Sequence, residues 1–188
     1  NTNCYFAVLY LKYNHYSIKK TKMPYIAEWH ENCKYIALCE GDDYWIVSYK
    51  LQKQVDFLEK NKEHVMVYTG FMNVNQAGEK IQRKYHDTLM NKSKSGWIFH
   101  DLLWENFIMT LSVCVRRNVI VGSPLYEQAP YNYDYSLFLC SSLQGKMKFI
   151  PDIMGAYRKV PTGAVATLGS QLQYMADSVR LYVIKFYF

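Results

Sequence analysis

Two apolar runs joined by an amphipathic helix constrain this chain more than any other feature. "KYIALC" (34–39) is short and mostly apolar, with no helical periodicity, the pattern of a buried strand. "SYKLQKQVDFLEKN" (48–61) follows, with Leu51, Val55 and Leu58 recurring at i, i+4 and i+7 among Lys and Gln. That spacing predicts an amphipathic helix, with Ser48 placed to cap it. "HVMVYTGFMNV" (64–74) then reads as a second strand, ended by the turn signal "NQAG" (75–78). Strand, helix and strand in succession predict an α/β layered domain.

The rest of the chain continues the alternation. The stretch 79–95 is polar and reads as a loop, "WIFHDLLWEN" (97–106) as a short helix, and "TLSVCVRR" (110–117) as a strand. "GSPLYEQAPYN" (122–132) is punctuated by Pro and Gly and reads as a loop. Asp134 stands where an N-cap would open the helix "YSLFLCSSLQ", and Gly145 stands at its far end as a stop. "KMKFI" (146–150) and "IMGAYRK" (153–159) read as two strands separated by Pro151-Asp152. A final helix over 168–186 would carry Leu172, Met175, Val179, Tyr182 and Phe186 on one face, and "YFAVLYL" (5–11) has the character of a strand. With 188 residues, half of them hydrophobic and 20% charged, the chain suits one globular domain spanning 1–188.

Composition removes several classes of function. The formal net charge is +6 and its Lys and Arg are scattered, which fits an anionic ligand or an acidic membrane face but does not imply nucleic acid. Five cysteines (Cys4, Cys33, Cys39, Cys114, Cys140) are an odd number without a C-x-x-C pair. They argue against a disulfide framework or zinc knuckle and for reduced thiols in the cytosol. The apolar runs are too short to span a bilayer and no signal peptide is visible. His30, His64, His86 and His100 have no ligand-like spacing.

The chemistry concentrates in "CEGDDYW" (39–45), where Glu40, Asp42 and Asp43 fall directly after the first strand. In α/β sheets ligands sit beyond the carboxyl ends of strands. Carboxylates crowded together repel one another until a cation or protons neutralise them. Oxygen ligands in a compact loop suit a hard divalent ion, Mg²⁺ or Mn²⁺, which commonly bridges protein to substrate phosphates. The plainer alternative is a solvated acidic loop that happens to precede a helix. A polymerase palm places "GDD" between two strands, whereas a helix follows here. A phosphotransferase with an aspartyl nucleophile would need its first acid at Glu40. A nucleotide-sugar glycosyltransferase uses a D-x-D-like motif to hold a metal on the donor diphosphate.

The composite "KYIALCEGDDYWIVSYKLQKQVDFLEKN" (34–61) resembles the D-x-D region of bacterial family 2 glycosyltransferases of the GT-A fold, in which a K-L-x-x-Q helix follows the acidic loop. "FIMTLSVCVRRNVI" (107–120) looks like that family's acceptor-side strand. "YNYDYSLFLCSSLQGKMKFIPDIMGAYR" (131–158) resembles its segment bearing the catalytic base. The resemblance covers 34–165 and implies a GT-A-like mixed sheet flanked by helices, with the C-terminal helix of 168–188 beyond it.

By matching position the resemblance implies Asp134 as the general base, and Glu40 and Asp42 as the pair holding metal and donor diphosphate. Asp43 stands beside that pair and Arg158 faces the diphosphate, while Tyr44, Trp45 and Tyr135 line the sugar and acceptor pocket. Arg116 and Arg117 would face an acceptor or lipid phosphate. The plainer readings are an N-cap for Asp134, a surface ion pair for Arg158 and core packing for Trp45. The implied activity is inverting transfer of a sugar from a nucleotide diphosphate donor, UDP-linked or similar, to a glycan or lipid-linked acceptor. The implied place is the cytoplasm, with peripheral contact to the inner membrane face.

Two departures qualify that expectation. Only 39 residues precede Glu40, fewer than the nucleotide-binding half of such a fold occupies, so the resemblance implies an N-terminally truncated domain. The histidine that many relatives carry after the Tyr-Arg pair is replaced by Val160. The rival expectations are a non-catalytic remnant that cannot hold a nucleotide and a metal-dependent phosphotransfer enzyme.

Overall fold

The computed structural model describes residues 12, 32–82, 84–129, 134–160 and 170–187. The chain divides into two compact units, Asn1–Cys33 and Lys34–Phe188. The expected strand at 5–11 lies outside the described residues, and the second unit carries the site. No helix among the described residues is long and apolar enough to cross a membrane.

The second unit is α/β, with a mixed sheet flanked by helices. Its strands are β1 (Tyr35–Ala37), β2 (Tyr44–Trp45), β3 (His64–Val74), β4 (Lys80–Ile81), β5 (Cys114–Arg116) and β6 (Lys146–Arg158). They lie in the order β1-β5-β3-β6-β2, with β4 hairpinned onto β3. Only β3 and β6 run parallel; the other pairs are antiparallel. The α-helices among the described residues are α1 (Lys50–Lys60), α2 (Lys84–Lys92), α3 (Phe99–Trp104), α4 (Pro124–Glu127), α5 (Asp134–Gln144) and α6 (Ser170–Tyr187).

β3 is the spine, and it occupies the span its apolar pattern predicts. It is buried continuously from Val65 to Phe71, as a central strand covered on both faces must be. Strand periodicity divides its side chains between two cores. Met66 and Tyr68 join the larger core with Leu102 of α3, Phe138 of α5 and Val179 and Val183 of α6. Val67 joins Leu58 of α1, Cys114, Ile150 and Met154 in the smaller one. The "NQAG" turn also forms as predicted: Gly78 has a φ of +86° and donates its N–H to Asn75 O.

Several expectations are corrected. α1 begins at Lys50 with Tyr49 in the cap position and no side-chain cap, so Ser48 does not cap it. Its buried stripe is Lys50, Gln54 and Leu58, while Leu51 is 38% exposed. The polar stretch 79–95 contains β4 and α2. His86 anchors α2 through Nε2 on Phe71 O, its ring edge-on to Phe71, and Leu89 is buried. The strand expected over 110–117 is shortened to β5 and preceded by a 3₁₀ turn at Thr110–Ser112. The loop expected over 122–132 contains the single turn of α4, and its residues 130–132 lie outside the described residues. On α6 the buried residues are Val179 and Val183, while Phe186 is 55% exposed. Leu172 has no described side chain.

The two strands expected around Pro151-Asp152 are one. Thr69 pairs with Ile150 and Gly70 with Ile153, so Pro151 and Asp152 bulge out of a continuous β6. Proline has no N–H to give the ladder, and the bulge absorbs it. Gly70 lies beneath: a Cβ there would stand 2.7 Å from Pro151 O and 2.9 Å from both Ile153 Cδ1 and Met90 Cε. The carbonyl belongs to the backbone and cannot swing aside. Gly70→Ala is therefore expected to lower unfolding stability by about 1–3 kcal/mol in urea denaturation; a variant as stable as wild type would show that the bulge yields freely.

Candidate functional site

The acidic loop leaves the carboxyl end of β1 and turns back into β2, closed by the Asp43 N–H on Glu40 O at 3.1 Å. Glu40 and Asp42 stay exposed, while Asp43 is only 9% exposed. Asp43 Oδ1 accepts the backbone N–H of Arg158 at 2.8 Å. Its Oδ2 is buried without a partner among the described residues. Burial pushes the Asp43 carboxyl up from 3.8 to about 6, against the Arg158 N–H; Glu40 and Asp42 add to the rise.

Arg158 acts as a clamp. Its Nε donates to Asp42 O at 2.9 Å, and its Nη1 donates to Asn75 O at 3.2 Å and Gln76 O at 2.7 Å. Its guanidinium carbon lies 5.5 Å from the centroid of the Tyr44 ring. The guanidinium thus holds the acidic loop against the β3–β4 turn through backbone carbonyls. Tyr44 stands half-buried at the rim of the loop.

Asp134 opens α5, as the sequence predicts, and its Oδ1 accepts the N–H of Tyr135 at 2.8 Å. Its Oδ2 accepts the Thr110 hydroxyl at 3.1 Å. Partial desolvation raises the Glu40 carboxyl, Thr110 lowers it, and Asp134 and Asp42 add to the rise. Tyr157, on β6, feels all four acids: its phenol is pushed up first by burial, then by Asp43, Glu40, Asp42 and Asp134. Asp43, Glu40, Asp42 and Asp134 thus all lie near enough to Tyr157 to act on its phenol electrostatically.

Other expected residues stand elsewhere. Trp45 does not open onto this region: its Nε1 donates to Leu111 O at 2.9 Å, and Lys50 Nζ lies 4.7 Å from its ring centroid. Tyr135 is 3% exposed, donates its hydroxyl to Leu102 O at 2.6 Å and accepts Arg180 Nε at 2.9 Å. It packs in the core rather than lining a pocket. Arg116 caps the end of α1 through Leu58 O and Asn61 O and also donates to His64 O. It serves the fold instead of facing a phosphate.

Sequence reasoning passed over Thr110, Tyr157, Lys50 and Gln54. Lys50 is fully buried, donates Nζ to Gln54 Oε1 at 2.7 Å, and is pushed down to about 8 by burial. The Gln54 amide donates to Val67 O at 3.0 Å and Ser112 O at 2.9 Å. The signal available for Lys50 and Gln54 was the K-L-x-x-Q pattern itself, whose polar members recur with the i+4 spacing of a single face.

No group of three or more His, Cys, Asp and Glu among the described residues is arranged to hold a metal ion. Glu40 and Asp42 are two exposed oxygen donors of the same loop, of the hard ligand type that Mg²⁺ takes. Desolvation is the first cause of the raised Glu40 and Asp43 carboxyls, and the neighbouring acids add to it.

No family model matches the chain. The uncharacterized protein Rv1520 of Mycobacterium tuberculosis and the uncharacterized protein Mb1547 of Mycobacterium bovis are each 32% identical to it over 129 residues, 67% of this chain and 35% of theirs. The chain spans about a third of the length of the curated relatives it matches.

The raised Asp43 carboxyl fixes the sign of a pH effect. Between 3.8 and about 6 the folded state binds more protons than the unfolded chain, so this group's contribution to stability falls as pH rises. Asp43→Asn keeps an acceptor for the Arg158 N–H and cannot ionise. Relative to that variant and without divalent ions, the wild-type protein is expected to lose up to about 3 kcal/mol as pH rises through this window, read from urea midpoints. Parallel curves for the two proteins would show that Asp43 ionises without penalty.

Proposed function

We propose that this chain carries a glycosyltransferase site of the GT-A type, resembling family 2, that moves a sugar from a nucleotide diphosphate donor to a hydroxyl of a glycan or lipid-linked acceptor. The observation that carries the reading is the hold of the Thr110 hydroxyl on Asp134 at 3.1 Å, with Asp134 near enough to raise the Glu40 carboxyl although the two are far apart in sequence. Inverting transfer needs one base at the acceptor and one place for the charge of the departing diphosphate. Carboxylates from two separate segments, near enough to act on one another, supply that division of labour.

In this reading Asp134 accepts the proton of the acceptor hydroxyl as its oxygen bonds to the anomeric carbon. The bond from that carbon to the diphosphate oxygen breaks, and the nucleoside diphosphate leaves with the electron pair, inverting the anomeric centre. Glu40 and Asp42 would hold a Mg²⁺ or Mn²⁺ ion, which when bound supplies positive charge for the leaving diphosphate. Arg158 keeps the acidic loop in place and adds charge to the same side. Asp43 supports the loop from beneath through the Arg158 N–H.

Calorimetric titration of UDP in the presence of Mn²⁺ tests the donor half. Binding is expected, weakened about tenfold or more by Glu40→Gln or Asp42→Asn. No heat at millimolar UDP would remove the transferase reading. UDP release from UDP-glucose, UDP-galactose and UDP-N-acetylglucosamine, with water taking the sugar in place of the acceptor and giving its proton to Asp134, tests the chemical half. Asp134→Asn is expected to keep UDP binding while turnover falls by about 10²–10⁴-fold. Unchanged turnover in that variant would remove Asp134 as the base.

A further inference from the structure

The Thr110–Ser112 turn is fixed from three directions by groups that touch none of the acids. Trp45 Nε1 holds Leu111 O, and Gln54 Nε2 holds Ser112 O. The Leu111 side chain sits where β6 carries Gly155: a Cβ at that position would come within 2.6 Å of Leu111 Cδ1. The turn is closed internally by Ser112 Oγ on Met109 O at 2.6 Å and by the Val113 N–H on Thr110 O at 3.2 Å. Thr110 is therefore placed by the fold before any acid contacts it. Its β-branched side chain is stiff about χ1, so a fixed backbone also fixes the hydroxyl.

From that place the hydroxyl donates to Asp134 Oδ2, while Oδ1 of the same carboxylate accepts the Tyr135 N–H. Both oxygens are engaged, one by the start of α5 and the other by the turn. That combination sets the plane of the carboxylate as well as its position. A hydroxyl has a single proton to give, and Thr110 gives it to Asp134.

We infer that Thr110 is the positioning residue for Asp134: its hydroxyl holds the carboxylate in the orientation required to take the acceptor's proton, at a fixed offset from the acidic loop. The inference rests on the transferase reading above and deepens it. Thr110 acts through Asp134 and touches no reacting atom. Trp45, Gln54 and Gly155 enter the same site indirectly, as the supports of its turn.

The test compares wild type, Thr110→Val and Thr110→Ser for UDP release from the same three UDP-sugars with Mn²⁺, and for UDP binding by calorimetry. Valine keeps the branched shape and removes the hydroxyl, whereas serine keeps the hydroxyl and removes the methyl. Thr110→Val is expected to lower kcat about tenfold or more while donor KM and the UDP dissociation constant stay within about threefold. Thr110→Ser is expected to recover kcat to within about threefold of wild type, which a packing role would not allow.

The inference is overturned if the valine variant keeps wild-type kcat, or if serine does no better than valine. It is also overturned if UDP binding weakens in step with kcat, since Thr110 would then belong to the donor site. Wild-type protein that binds UDP with Mn²⁺ but releases none from any of the three sugars overturns it together with the base assignment. Wild-type protein that shows no UDP binding removes the transferase reading itself, a result distinct from all of these.

Discussion

The buried amide of Gln54 is the interaction on which the rest of the site depends. The β3–β5 ladder stops at the Val67–Cys114 pair, and beyond it Val67 O and Ser112 O both need a donor. Gln54 gives one N–H to each and takes the Lys50 ammonium on its own oxygen. A carboxamide with both hydrogens and its oxygen engaged is a satisfied polar group inside an apolar core, and a half-satisfied one would be costly. Helix, central strand and 3₁₀ turn are thereby tied at one atom group. The acids of the site hang on that knot, since the turn presents Thr110 and the helix follows the acidic loop after β2.

The parts of the fold legible in the sequence are those where one physical demand dominates. β3 could be read to the residue because a strand covered on both faces must be apolar throughout. The 75–78 turn was legible because Gly78 supplies a positive φ, and the start of α5 because Asp134 accepts a backbone N–H there. The helix over 84–92 was not legible: its hold on the sheet is His86 against the Phe71 carbonyl and ring, a tertiary contact without local periodicity. The unity of β6 was hidden for the opposite reason. Pro151 is a strong local stop signal, overridden by the long parallel partnership with β3 on either side of the bulge.

The site shows the same division. The carboxylates were legible as a charge cluster after a strand, and Asp134 lies near enough to raise the Glu40 carboxyl. The aromatic neighbours were not legible, because aromatic character alone does not say which way a ring faces. Trp45 and Tyr135 both spend their polar atoms on main-chain carbonyls, at Leu111 and Leu102. On α1 Leu58 was placed correctly, but Leu51 and Val55 stood in for Lys50 and Gln54, because a lysine and a glutamine are poor guides to burial. Here they are buried because each satisfies the other.

The Arg158 clamp separates two properties that are usually entangled in an acidic loop. Every hydrogen bond described for its guanidinium goes to a main-chain carbonyl, at Asp42, Asn75 and Gln76. The path of the loop is thus written in the backbone, while its charge is written in side chains that the clamp does not touch. Substitutions at Asp42 can alter the charge that the loop presents without redrawing its course. A scaffold of this kind can change its surface charge one carboxylate at a time, because geometry and charge are free to drift independently.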